Sequence, residues 1–245
     1  MICFLTSSTI PPDADAMTLN SANGFAAALR ERLPAPCRAL FVCSDPEDWE
    51  RTDRFAAGVR ESFADAGITF SSCRTLDSRN ASRAAELVRD SELLILAGGH
   101  VPTQNRFFHQ IALDALLRRF HGVLVGISAG SMNCAAVVYA QPEEPGEATD
   151  PAYVRFLPGL GLTKTMLIPH YQAIRNDVLD GLRVMEDIAY PDSRGRRFYL
   201  IPDGSYLFIE NGRETLCGEA YLLADGVLTQ ISRTGETVHL QAPCY

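Results

Sequence analysis

Residues 122–140 read GVLVGISAGSMNCAAVVYA. Residues 123–127 form a short apolar run rich in β-branched side chains, the mark of a strand buried on both faces. Gly126-Ile127-Ser128-Ala129-Gly130 comes next, and small residues at helical spacing follow at once. A chain that turns from strand to helix so abruptly needs neighbours without bulk, because the two backbones converge there. A serine at the apex is lifted above the strand's C-terminal end, the edge where open α/β sheets place their sites. Gly-x-Ser-x-Gly therefore reads as a nucleophile elbow with Ser128 as the candidate nucleophile. The competing reading is a plain tight turn in which the serine caps a helix. Ser131 reads as an ordinary residue of the helix's first turn.

Working outward, similar apolar runs occur at residues 2–6, 39–43, 69–73 and 93–97, separated by helical patterns at 22–33, 49–66, 81–90 and 104–120. Strands apolar on both faces, alternating with helices, predict a doubly wound, mostly parallel α/β sheet. Beyond Tyr139 the pattern changes. Residues 141–151 (QPEEPGEATDP) form an acidic loop expected to be exposed, with Pro145-Gly146 suggesting mobility. A strand at 165–168 and a helical run at 176–188 follow. Short strands at 198–201, 206–209, 220–223 and 228–231, with turns at Glu210-Asn211-Gly212 and Asp225-Gly226, predict an antiparallel or mixed extension near the C-terminus.

The chain has 245 residues, 47% of them hydrophobic and 21% charged, which suits a single globular domain over residues 1–245. A net charge of −8 argues against a nucleic-acid or anionic-membrane partner. No window approaches the roughly 18 apolar residues of a membrane span. The seven cysteines (Cys3, Cys37, Cys43, Cys73, Cys134, Cys217, Cys244) are scattered singly with no metal-ligand spacing. They read as free thiols in a reducing compartment, and the chain as cytoplasmic with neither metal nor cofactor.

A serine nucleophile needs a base. Of five histidines, His109 and His121 read as surface groups and His239 belongs to a terminal strand, whereas His170 ends the apolar run TMLIPH at the elbow's sheet edge. The acid that holds the imidazole is expected in the loop between them, with Glu147 first, Glu143 or Glu144 second, and Asp150 also present. The N–H of Ala129 and the Gly98-Gly99-His100 turn are the candidate oxyanion donors.

The order strand–GGH…Gln–helix–strand–GISAGS–helix–acidic loop–strand–IPHYQ, over roughly residues 93–175, resembles the S51 serine peptidases, a family that includes aspartyl dipeptidase and cyanophycinase. The resemblance implies a class I glutamine amidotransferase-like fold and cleavage of small peptides through an acyl-enzyme. It implies Ser128 as nucleophile, His170 as base, Glu147 as acid, Gly99 and Ala129 as oxyanion donors, and Gly98, His100, Gln104 and Arg175 as substrate contacts. The family's turn often reads GGGN where this chain has AGGH. An acidic substrate would need a cation, for which Arg175 and Arg106 are candidates. The partner implied is a small peptide, with a homodimer left open. Two other classes stay open: an esterase of the α/β-hydrolase type, favoured by an antiparallel second strand or a triad completed by His239, and a non-catalytic binding protein on the same scaffold.

Overall fold

The computed structural model describes residues 1–11 and 18–240, so Cys244 lies outside the described residues. Five strands carry the core: β1 (Ile2–Thr6), β2 (Cys37–Val42), β3 (Phe70–Leu76), β4 (Leu93–Leu96) and β5 (Val123–Ile127). They lie side by side in the order β1-β5-β4-β2-β3, every pair parallel. Beyond β1 the sheet continues antiparallel through Tyr206–Glu210, Arg213–Cys217 and Thr237–Leu240, making eight strands in all. The order leaves β5, and therefore Ser128, near the middle of a mostly parallel sheet.

Alternation along the strands builds a core on each face. Phe4, Phe41, Ile95 and Val125 pack against Phe25 and Leu29 of the helix Phe25–Arg30 and Val59 and Phe63 of the helix Trp49–Asp65. Leu5, Val42, Leu94 and Leu124 point the other way, against Leu87 and Val88 of the helix Ala84–Arg89 and Phe107 and Phe108 of the helix Val101–Gln110. The sheet is thus covered on both sides, as its uninterrupted apolar strands require.

A second sheet of four strands stands beside the C-terminal edge of the first. Its order is Val227–Ser232, Ala220–Ala224, Arg197–Leu200, Met166–Ile168, and the last two run parallel. Tyr139 is buried against it, stacked on Phe198 at 4.3 Å between ring centroids. Arg155 and the Tyr139 hydroxyl both bond Asp192, at 2.7 and 2.9 Å, which ties the chain after the elbow to this sheet.

Four local expectations give way. The pattern at 104–120 breaks where Ala112 adopts a positive φ of 49°, separating Val101–Gln110 from Leu113–Leu117. The run at 176–188 is not a helix throughout. Asp180 and Gly181, with φ of 53° and 82°, turn Val178–Leu179 back on Leu182–Arg183, and only Val184–Ala189 is helical. Positive φ at both central residues is the hairpin turn an Asp-Gly pair favours. The helix after Ser128 lasts one turn, Ala129–Met132, before Val137–Tyr139 pairs with Phe156–Pro158. The acidic loop is partly buried, at Gln141, Pro142 and Ala148. It is also pinned, because the Asp180 carboxylate accepts the N–H groups of Gly146 and Ala148 at 2.9–3.0 Å.

Neither feature favouring an α/β-hydrolase esterase is found among the described residues: β2 is parallel to both neighbours, and His239 is exposed with its Nδ1 on Thr215 Oγ1 at 2.9 Å. The six described cysteines are free thiols, five of them buried. No described helix is long and apolar enough to cross a membrane.

The glycines that make the strand–helix turn leave no room for a side chain. A Cβ on Gly126 would sit 2.8 Å from Ser131 Cα, and one on Gly130 would overlap the Leu96 carbonyl. Gly126→Ala is expected to cost roughly 1–3 kcal/mol of stability, read as a lower urea midpoint at an unchanged m-value.

Candidate active site

Ser128 follows β5 directly and holds φ 50° and ψ −112°, a backbone conformation that L residues rarely adopt. Such strain costs about 1–3 kcal/mol and persists only where surroundings impose it. Here they do: the Thr6 carbonyl at the end of β1 accepts both the Ser128 N–H at 3.0 Å and the Ser131 hydroxyl at 2.8 Å. The Thr6 hydroxyl in turn donates to the Gly126 carbonyl at 2.8 Å. Ser131 is therefore a buried anchor of the elbow.

His170 follows Met166–Ile168 and Pro169, and it too has a positive φ, 58°. Its ring reaches across from the second sheet, with Nε2 at 2.9 Å from Ser128 Oγ. Nδ1 lies 2.8 Å from Asp203 Oδ1. The carboxylate on the imidazole is thus Asp203, which corrects the expectation of Glu147, Glu143 or Glu144. Asp203 follows Arg197–Leu200, the parallel neighbour of the strand that ends at His170, so pairing of the two strands delivers both side chains to one edge. A sequence signal for this exists. Leu167-Ile168-Pro169-His170 and Leu200-Ile201-Pro202-Asp203 share the same three residues before the polar one.

Ser7, also missed in the sequence, joins the pieces. Its hydroxyl accepts the His170 N–H at 2.8 Å and donates to Asp203 Oδ1 at 2.6 Å. Gln172 Oε1 accepts the Asp203 N–H at 3.0 Å. Burial alone would raise the Asp203 carboxyl's pKa, but hydrogen bonds from His170 and Ser7 and the charge of His170 outweigh it and hold the group below its ordinary value.

The predicted acid, Glu147, does different work. Its Oε1 lies 2.8 Å from His100 Nε2, and its Oε2 accepts the N–H groups of Glu143 and Glu144 at 2.9 and 3.0 Å. Burial opposes ionisation of this carboxyl, yet those bonds leave its pKa below the usual range. His100 stands at the N-terminal boundary of the helix Val101–Gln110, with Nδ1 2.8 Å from the Thr103 side-chain Oγ1, so the histidine of the AGGH turn clamps the acidic loop to that helix. The ligand-type atoms of His100, Glu144 and Glu147 lie within 4.8 Å of one another, the one such group among the described residues, but hydrogen bonds already engage both oxygens of Glu147.

Gln104 is no substrate contact. It is fully buried, donates to the Ala97 and Cys43 carbonyls at 2.7 and 3.3 Å, and accepts from Asn133 at 3.1 Å. Arg175 is exposed at the end of the short helix Tyr171–Ile174 and does not line the cleft. Arg106 is exposed and donates to Thr103 at 3.2 Å. Of the two turn glycines, Gly98 is the one against the serine: a Cβ built on it would lie 3.3 Å from Ser128 Cβ, whereas Gly99 packs on Ser44. Ala129 opens its helix, so its N–H has no partner within it.

Ser128 and His170 line an open cleft of about 80 Å³ with Gln141, Glu143 and apolar Met132 and Ile168. Burial of the Glu143 carboxyl pushes its pKa up, and neighbouring Glu147 and Glu144 push the same way against the Val101 N–H.

A model of peptidase family S51 matches residues 34–217, three-quarters of the chain. The chain belongs to peptidase family S51. The fold is similar to the crystal structure of a peptidase from an acI-B1 Actinobacterium, with a TM-score of 0.64 and 18% identity over 98% of this chain and 96% of that one. It is also similar to a putative peptidase E protein from Listeria monocytogenes EGD-e, with a TM-score of 0.58 and 14% identity over 94% and 98%. At such identities the likeness is one of fold, and it agrees with the large, mostly parallel sheet of this S51 chain. No curated protein matches the chain.

The depressed Asp203 pKa has a linkage consequence. Because the folded value lies below the unfolded one, near 3.9, this group's stabilisation is complete above the unfolded value and is lost as pH falls through the folded one. Denaturant titrations from pH 6 to 3 are expected to show a shallower loss of stability in Asp203→Asn than in the unaltered chain, with the difference confined to about pH 5 and below.

Proposed function

We propose that this chain is a serine peptidase that cleaves small peptides through Ser128, His170 and Asp203. The observation that carries the reading is one imidazole bridging the hydroxyl of a serine with strained backbone at 2.9 Å and a partly buried carboxylate at 2.8 Å. With Nδ1–H donated to Asp203, Nε2 is left bare to accept the serine proton. Ser128 Oγ then attacks the peptide carbonyl and His170 takes its proton. The oxygen that becomes negative meets the N–H groups of Ala129 and the Gly98-Gly99 turn. A helix of only four residues contributes little macrodipole, so these donors act locally. As the C–N bond breaks, His170 returns the proton to the leaving amine, and the acyl group stays on Ser128. Water, deprotonated by His170, releases the acid and restores the hydroxyl. The small cleft, closed on one side by the pinned acidic loop, favours short peptides over folded proteins.

The two candidate acids make the test. On a panel of dipeptides, Ser128→Ala is expected to abolish turnover, and Asp203→Asn to lower kcat by about 10³–10⁴-fold. Glu147→Gln is expected to cost far less, because its partner His100 stands apart from the imidazole at 170. Turnover that survives Ser128→Ala, or none from the unaltered chain on any peptide, would overturn the peptidase reading. A larger loss from Glu147→Gln than from Asp203→Asn would overturn the assignment of the acid.

A further inference from the structure

The Gly98-Gly99 turn lies against Ser128, and it has no side chain of its own to fix it there. Among the described residues no hydrogen bond engages the backbone of either glycine. Free N–H groups suit a developing oxyanion, but only when their direction is set before the charge forms. Glycine backbone is the least restrained of all, so the residues on either side must set it.

On one side, the Ala97 N–H donates to the Val42 carbonyl at 2.9 Å, and the Ala97 carbonyl accepts from the buried Gln104 amide at 2.7 Å. On the other side stands His100, with both ring nitrogens engaged. Nδ1 meets Thr103 Oγ1 and Nε2 meets Glu147 Oε1, each at 2.8 Å. An ionised carboxylate only accepts, so Nε2 carries the proton, and in a neutral imidazole Nδ1 accepts from the Thr103 hydroxyl. The two side chains are only 20% and 15% exposed, which leaves their bond little screened. Glu147 is itself fixed, because its other oxygen accepts the N–H groups of Glu143 and Glu144. Glu143 in turn accepts the N–H of Val101, the residue after His100, at 3.1 Å. Asp180 holds the same loop at Gly146 and Ala148. Neither His100 nor Glu147 lines the cleft of Ser128, so the pair acts on that cleft only through what it holds.

We propose that His100 and Glu147 are a positioning pair that aims the Gly98-Gly99 N–H groups at the oxygen gaining negative charge on the Ser128 adduct. That this oxygen comes from a peptide carbonyl rests on the peptidase reading; the aiming of the turn does not. Such N–H groups bond most strongly once the charge has formed, so loosening the pair slows the chemical step and spares substrate binding.

The test compares two replacements of one residue. His100→Gln keeps an amide N–H that reaches Glu147, whereas His100→Asn is too short to do so. On a dipeptide that the unaltered chain hydrolyses, His100→Asn and Glu147→Ala are each expected to lower kcat roughly ten- to hundred-fold. KM is expected to stay within about twofold, and the double variant to lose no more than either single one. His100→Gln is expected to recover most of the loss. The same ranking is expected for the rate at which a fluorophosphonate labels Ser128, since its phosphoryl oxygen takes the oxyanion's place. Urea midpoints separate a loss of folded protein from a loss of rate. Equal rates across the variants, a loss confined to KM, His100→Gln no faster than His100→Asn, or additive losses in the double variant would overturn the proposal. Labelling without turnover counts against the peptidase reading alone, because labelling rates still rank the variants. Neither labelling nor turnover by the unaltered chain would overturn both.

Discussion

Two adjacent residues at the end of β1 hold the site together. The Thr6 carbonyl accepts from Ser128 and Ser131 and fixes the elbow, and the Ser7 hydroxyl bonds both His170 and Asp203. The first set of bonds stays within the large sheet, whereas the second crosses to the small one. A serine held at positive φ and a histidine held at positive φ face each other because one short piece of chain grips both. Their strained backbones are affordable only in that setting.

Around this junction, bulk is excluded on one side and polarity is satisfied on the other. Gly126 and Gly130 let the turn after β5 press against Ser131 and the Leu96 carbonyl. Gln104, Asn105 and Asn133 bond one another and nearby carbonyls beneath the elbow, so the buried polar groups there are paired. Gln141, a residue of the cleft wall, differs in having a buried oxygen with no hydrogen-bond partner.

Much of this was legible in the sequence, where a decision depended on local pattern. β1 and β5 appear with the bounds their apolar runs suggest, and the elbow and the histidine after Pro169 announce themselves by composition. The acid did not, because nothing near Asp203 marks it except its turn. Its place beside His170 is set by pairing between strands some thirty residues apart, a nonlocal fact. The acidic loop is conspicuous by charge, yet the histidine its Glu147 meets is His100, which the fold brings in from the β4 turn. Residues 176–188 depart from the helical expectation for the opposite reason. Their apolar spacing suits a helix, but the Asp180-Gly181 pair, readable as a hairpin turn, overrides it.

The large sheet supplies the nucleophile, and the small sheet supplies base and acid already bonded as a pair. Any sliding of one sheet over the other would therefore spare the imidazole–carboxylate contact and lengthen the gap to the serine. Reactivity in such an assembly is a property of how two independently hydrogen-bonded layers abut. Remote packing changes, such as loosening Tyr139 from Phe198, can silence it without touching a reacting atom.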